Sequence, residues 1–473
     1  MTALDFLTLA PFLIISGAPI IIMLTISISR HYKVIFWFSV IAFLAAFISL
    51  FFIITYAPHT IEPLFIIDAY SILILGIIFF VCLLITLLSY LYLNHYTGVR
   101  EEYFIILFVA ALGSAILVVS KHFVTFFLGL ETLSISLFIM IAYIRSRDQC
   151  IEAGVKYLVM ASASTAILLF GLALLYLETG TMDFSALATY MSNNISLSPI
   201  LLTGLGMLIA GIGFKLALVP FHMWAPDVYQ GAPAPVSAFI ATVSKCAVMA
   251  LILRLFIQIH VSEIQTLVLI ISIIAVVSMF TGNLLALRQN NLKRLLAYSS
   301  IAHVGYLMIT LLTGNENGIQ AAIFYLVVYM ITSLGAFAII SIFSNLTGHS
   351  EDIGFYKGLF WKKPWVAIVF TLILLSLAGI PLTAGFMGKF YLVLAGAKSG
   401  LWILVISLIV NSVISLYYYL RIIVSMFSSS DSEPLPLVPI LGNIVLGIIA
   451  ISILMLGILP GWLIDLISNY SKM

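Results

Sequence analysis

The sequence predicts an all-α integral membrane protein of about fourteen transmembrane helices, and three observations lead there. Hydrophobic residues make up 63% of the chain and charged residues only 8%, against roughly 25% charged in an ordinary soluble domain. The apolar residues run unbroken for about 20 positions, the length that crosses a hydrocarbon core, and do not alternate with polar ones as barrel strands would. Pro, Gly, Ser and Asn gather between the runs. Backbone groups in hydrocarbon must be satisfied within the protein, and uninterrupted apolar runs can do that only as helices.

Taken in order, the first six spans are expected near 6–29, 34–56, 68–93, 103–120, 122–144 and 151–177. The next four fall near 199–220, 234–259, 264–287 and 295–313, and the last four near 318–343, 367–395, 401–426 and 437–466. The first run, Phe6 to about Ile28, is too long for a signal-peptide core and lacks a basic leader, so it reads as a span. No gap could house a soluble domain; the longest polar stretch includes Ser428–Pro434. The chain is therefore one membrane domain. Within it, 1–100 holds three N-terminal helices, 101–260 and 261–426 hold two five-helix units, and 427–473 holds a last helix.

Lys and Arg set the orientation. Arg30, Lys33, Arg100, Arg145, Arg147, Arg288, Lys293, Arg294, Lys357, Lys362 and Lys363 all fall in odd-numbered gaps. Even-numbered gaps hold only Lys121 and Lys398, and the tail adds Lys472. The odd gaps are expected in the cytoplasm and both termini on the outer side. Cys82, Cys150 and Cys246 lie far apart without metal-ligand spacing and read as reduced packing residues.

Spans seven and twelve carry helix breakers, Pro220 and Pro381, each within nine residues of a lysine. Proline removes a backbone donor and frees carbonyls, which is tolerated at membrane depth only under protein or beside a wet cavity. Interrupted helices in corresponding positions mark transporters built from inverted repeats. Spans four to eight and nine to thirteen would be the repeats, the broken helix fourth in each; an odd helix count inverts the second.

Glu131, Lys156, Lys215, Lys245 and Lys389 sit inside apolar spans. A charge at the bilayer centre costs roughly 2.5–3.5 kcal/mol on insertion scales, so packing alone would favour leucine at every one. Lysine and glutamate can exchange protons when burial and neighbouring charge compete, which suits a proton relay. Glu131 would gate Lys215, Lys245 would pass the proton inward, and Lys389 would lead to the exit. Lys156 and His303 are secondary candidates: Lys156 lies close enough to a helix end to snorkel, and His303, titrating nearest neutrality, is not expected deep. Arg254 is expected snorkelled or paired, since arginine holds its proton. His222 and Asp227 are expected to cap the helix after the break.

The stretch from Gly213 through Lys215, Pro220, Asp227 and Gln230 to Phe239, the run Asn291–Tyr306, and Ser376–Phe390 resemble the antiporter-like membrane subunits of bacterial proton-pumping NADH–quinone oxidoreductase, respiratory complex I. The resemblance spans essentially the whole chain. The run from Asp227 through Gln230 to Pro235 resembles the subunit-N type rather than the L and M types, and a lysine at 389 separates the chain from the M type. The resemblance implies that Glu131, Lys215, Lys245 and Lys389 take the relay positions. It also implies that FMN, iron–sulfur clusters, NADH and quinone chemistry belong to partner subunits, with no cofactor or metal in this chain. The expected setting is the bacterial inner membrane, among other membrane-arm and peripheral-arm subunits and with no nucleic acid. The alternatives are a subunit of a cation/proton antiporter or membrane-bound hydrogenase, a structural spacer with fixed charges, and a solute transporter.

Overall fold

The computed structural model describes residues 2–94, 96, 98–193, 198–344, 350–429 and 437–470. Residues 430–434 of the predicted polar gap and Lys472 lie outside them. Among the described residues, thirteen helices are long and apolar enough to cross a membrane. They match predicted spans one to eleven, thirteen and fourteen, from Ala10–Ile28 to Ile440–Ile458, most ends agreeing within a few residues. Predicted span twelve exists as two half-helices, Pro364–Ala378 and Ala384–Lys398. The protein is a multi-pass membrane protein. A short antiparallel hairpin, His59–Ile61 with Phe65–Ile67, joins spans two and three.

Local chemistry accounts for many of the ends. Asp68, Ser198, Asn291 and Asn315 each accept a backbone N–H in the first turn of spans three, seven, ten and eleven, satisfying donors that have no intrahelical partner. Spans six and ten stop at Gly180 and Gly314 in the left-handed conformation.

Spans four to eight are Glu102–Val119, Phe123–Ile141, Asp148–Thr179, Pro199–Leu216 and Ala234–Gln258. Spans nine to thirteen are Gln265–Ala286, Leu292–Thr313, Glu316–Phe343, the two halves of span twelve, and Trp402–Phe427. Within each five the same neighbours pack: first on second, second on third, third on fourth, fourth on fifth, and fifth back on first. In both, the first pair crosses at glycine. A Cβ on Gly113 would meet Leu133 N at 2.6 Å, and one on Gly282 would meet Ala302 N at 2.7 Å. The backbones approach as small residues permit at membrane helix crossings.

Spans eight, ten and eleven are buried almost end to end, whereas one, two and six present much of their surface outward. Apolar side chains such as Met23, Phe51 and Phe170 are exposed there, where hydrocarbon replaces water. Two of the three most buried helices thus carry Lys245 and His303.

Candidate functional site

Both broken helices end in the same way, one residue type at a time. Span seven closes at Ala217 with φ 58°, and the first half of span twelve closes at Gly379 with φ 85°. The ladder thus stops at a left-handed residue, and Pro220 and Pro381 follow that stop rather than kinking a continuous helix. Lys215 occupies the last turn of span seven, where a cation faces the negative end of the helix dipole. Lys389 sits in the second half of span twelve and donates to the freed carbonyl of Ala378 at 2.8 Å and to Ser412 Oγ at 2.9 Å. A freed carbonyl answering a lysine is the arrangement expected of an interrupted membrane helix.

Lys215, Lys245, Lys389 and His303 are all buried. Lys215 Nζ donates to Ser134 Oγ at 2.6 Å and lies 5.8 Å from the Tyr157 ring. Glu131 is one helical turn before Ser134 on span five and accepts from Thr165 Oγ1 at 2.7 Å. Glu131 and Lys215 thus address the same helix face with Ser134 at the contact, and among the described residues they form no direct ion pair. Lys245 follows a π-helical turn, Ile240–Ser244. Such turns recur at functional sites because they re-aim the side chains beside them. Lys245 Nζ donates to Ser300 Oγ, which also accepts from Tyr329 OH at 2.6 Å.

His303 was expected shallow, but it lies mid-way along span ten and is 4% exposed. Spans nine and eleven, the second half of span twelve and the helix Trp224–Gly231 all pack on span ten, so the burial of His303 comes from elements distant in sequence. Its Nδ1 pairs with Tyr325 OH at 2.7 Å, and its ring is 5.5 Å from those of both Tyr329 and Tyr306. Tyr306 in turn lies under Lys389, 5.6 Å from its Nζ. Tyr306 OH accepts from Asn283, which also joins Asn411 and Tyr418, each at 3.0 Å. Hydroxyl, amide and imidazole groups therefore fill the space between Lys245 and Lys389.

Lys156 belongs elsewhere. It is 44% exposed and pairs with Glu152 at 2.7 Å and Asp227 at 3.0 Å. Asp227 also meets Arg294 at 2.6 Å, and these groups surround a cavity of about 190 Å³. Asp227 and His222 do not cap the helix Trp224–Gly231, whose preceding residue Met223 offers no side-chain bond. The cross-links to spans six and ten take the carboxylate instead. Asp227 lies on the short helix Trp224–Gly231, outside the membrane spans on either side of it. Partial burial works to raise its carboxyl, but hydrogen bonds from Arg294 and Lys156 outweigh that and hold it below the usual carboxylate range.

Arg254 is paired, as the alternatives allowed: its guanidinium holds Asp68 through two bonds of 2.7 and 2.9 Å, with exposures of 1% and 7%. The pair ties span eight to the start of span three. Sequence reasoning singled out neither Asp68 nor the supporting Ser134, Ser300 and Ser412; the signal was a scatter of Ser, Asp and Asn within apolar runs, too common to rank. Cys82, Cys150 and Cys246 are buried free thiols.

The fold has several solved relatives. A chain of respiratory complex I from Thermus thermophilus, solved with bound aureothin, is similar at 30% identity and TM-score 0.84, with 96% of this chain and 98% of that chain covered. A chain of the membrane-bound sulfane sulfur reductase, an archaeal respiratory membrane complex, is similar at 25% identity and TM-score 0.88, covering 100% and 97%. A chain of the Mrp complex from a Dietzia species shares the fold at 18% identity and TM-score 0.86, covering 100% and 97%. The family described as NADH:quinone oxidoreductase/Mrp antiporter, transmembrane, matches residues 120–415. The matched segment takes in both broken helices and every buried lysine above, and by it the chain belongs to that family as an antiporter-like membrane subunit.

Proposed function

We propose that this chain is the subunit-N-type proton-translocating subunit of a bacterial NADH–quinone oxidoreductase. It sits in the inner membrane among other membrane-arm subunits, with both termini on the outer side. FMN, iron–sulfur clusters and the NADH and quinone sites belong to partner subunits of the peripheral arm and its junction. In this chain Glu131 biases Lys215, Lys245 receives the proton, and the hydroxyl and imidazole groups around His303 deliver it to Lys389.

The observation that carries the reading is that Lys215, Lys245 and Lys389 are buried without a carboxylate within 4 Å among the described residues. Each instead donates to a serine hydroxyl. A fixed charge serving structure would be paired, because an unpaired buried charge is destabilising. A lysine that must lose and regain its proton is better served by a neutral acceptor. A solute transporter is disfavoured for the same reason: ionisable groups and hydroxyls line the interior rather than a cavity shaped for a solute.

The test is purification in mild detergent with identification of co-purifying subunits, then proton uptake by reconstituted vesicles given NADH and quinone. Peripheral-arm partners and NADH-driven uptake are expected. A second reading, a subunit of an archaeal-type respiratory complex or of a cation/proton antiporter, draws on the likeness to the sulfane sulfur reductase chain. Sodium-dependent transport without NADH oxidation would favour it.

A further inference from the structure

The hydrogen-bonded groups divide into two sets that do not join. One is Lys215 with Ser134 and Tyr157, at the end of span seven; the other is Lys245 with Ser300 and Tyr329. No hydrogen bond connects the sets among the described residues, although a proton must cross from one to the other if the lysines act in sequence.

Tyr229 occupies that gap. It lies on the helix Trp224–Gly231 that follows the break, and it is fully buried. Its ring is 5.8 Å from Lys245 Nζ and packs edge-on against Phe337 at 5.9 Å. Ser237 Oγ donates to its backbone carbonyl at 2.9 Å, so the residue is held at both ring and main chain. Its hydroxyl nevertheless has no partner at good hydrogen-bond geometry among the described residues. Tyr329, from the Lys245 set, and Tyr157, from the Lys215 set, act on it electrostatically, and Ser300 of the Lys245 set is placed to hydrogen-bond it with little adjustment. Ser300 accepts from both Lys245 and Tyr329, so its own O–H is the group it can offer to the Tyr229 oxygen.

A buried hydroxyl without a partner is destabilising, and native structures tolerate such groups mainly where water or function completes them. A bare ring would serve equally well for packing against Phe337. Resting on the relay reading above, we infer that the Tyr229 hydroxyl is the proton-handling link between Lys215 and Lys245, completed by water on its Lys215 side. As the Lys215 ammonium gives up a proton through that water, the phenol oxygen accepts it and releases its own O–H proton toward Ser300 and the neutral Lys245 amine. Tyrosine ends unchanged; one N–H bond breaks at Lys215 and one forms at Lys245. Because Tyr229 rides on the segment after the break, any shift of that segment opens or closes the link.

The experiment compares Tyr229→Phe, Tyr229→His and Lys245→Arg in the assembled complex, reading protons pumped per NADH oxidised in vesicles. Tyr229→Phe keeps the ring contact and the Ser237 bond and removes only the unpartnered hydroxyl. Normal assembly on a native gel and at least a five-fold loss of pumping are expected, with Tyr229→His, which restores a proton-carrying group, recovering part of it. If Tyr229→Phe does not assemble, the Tyr229→His variant decides: pumping below half of wild type with a shifted pH profile supports the link, and an unchanged profile overturns it. Pumping within two-fold of wild type in Tyr229→Phe while Lys245→Arg abolishes it would overturn the link and leave the relay standing. Normal pumping in both would remove the relay itself.

Discussion

Replacing Lys245 with arginine separates a relay from a fixed charge more cleanly than any deletion. Lys245 is 2% exposed, and its ammonium donates to Ser300 and faces the Tyr229 ring at 5.8 Å. A guanidinium can keep the serine acceptor and can stack on the tyrosine face, so Lys245→Arg preserves charge and the principal contacts. What it removes is the ability to let go of the proton. In water arginine holds its proton about 2–3 pKa units more tightly than lysine. In the same surroundings that difference makes the deprotonated form about 100–1,000-fold rarer. Passage through this position should fall by a comparable factor, and pumping per NADH to below a tenth of wild type. The assay is pH-dye quenching in reconstituted vesicles, with NADH oxidation followed in parallel and assembly checked on a native gel. A fully assembled Lys245→Arg complex that pumps normally would refute the requirement for deprotonation. It would then be necessary to find the structural partner that the charge serves, and none lies within 4 Å among the described residues.

Further predictions concern the surroundings of that line. Glu131→Gln keeps an acceptor for Thr165 but removes the charge, so assembly should hold while coupled turnover and pumping drop; an unchanged pumping rate counts against gating. Gly379→Ala places a Cβ 2.8 Å from Lys389 Cδ at φ 85°, with a left-handed strain of roughly 1–2 kcal/mol. It should push Lys389 off Ala378 and depress pumping more than expression, which membrane quantification by immunoblot can compare. Arg254→Met leaves the Asp68 carboxylate buried and unpaired and should cost roughly 3–5 kcal/mol, read as a lowered thermal midpoint in detergent. Adding Asp68→Asn, which retains the helix cap, should recover more than half of the loss. Finally, the depressed Asp227 carboxyl means that its cross-links contribute stability above the ordinary carboxylate pKa and lose it as pH falls through the lower folded value. The difference in melting temperature between wild type and Asp227→Asn should therefore be present at neutral pH and vanish well below about pH 4.

The architecture was readable in the linear chain because hydrocarbon imposes one demand on every residue at once. Length, apolarity and the polar gaps place the helices to within a few residues, and two prolines mark where helices are interrupted. The energetic cost of a charge in lipid singles out Glu131, Lys156, Lys215, Lys245 and Lys389 without any knowledge of their neighbours, though Lys156 proves exposed and ion-paired. Partnership is a different matter, since it depends on which faces of distant helices meet. Asp68 lies 186 positions before Arg254, and no periodicity relates them. The burial of His303 comes from the helices packed around span ten, which its own sequence neighbourhood does not show. Asp227 looked like a cap because caps are local; Lys156 and Arg294, brought beside it by spans six and ten, took its carboxylate instead. The breaks show the same division. Proline announces an interruption, but where the ladder stops is decided at Ala217 and Gly379, by the left-handed turns that let each half-helix change course inside a packed core. Composition and spacing are summed along the chain and survive in the sequence, whereas hydrogen bonds between helices exist only after tertiary packing has chosen which groups come within 3 Å.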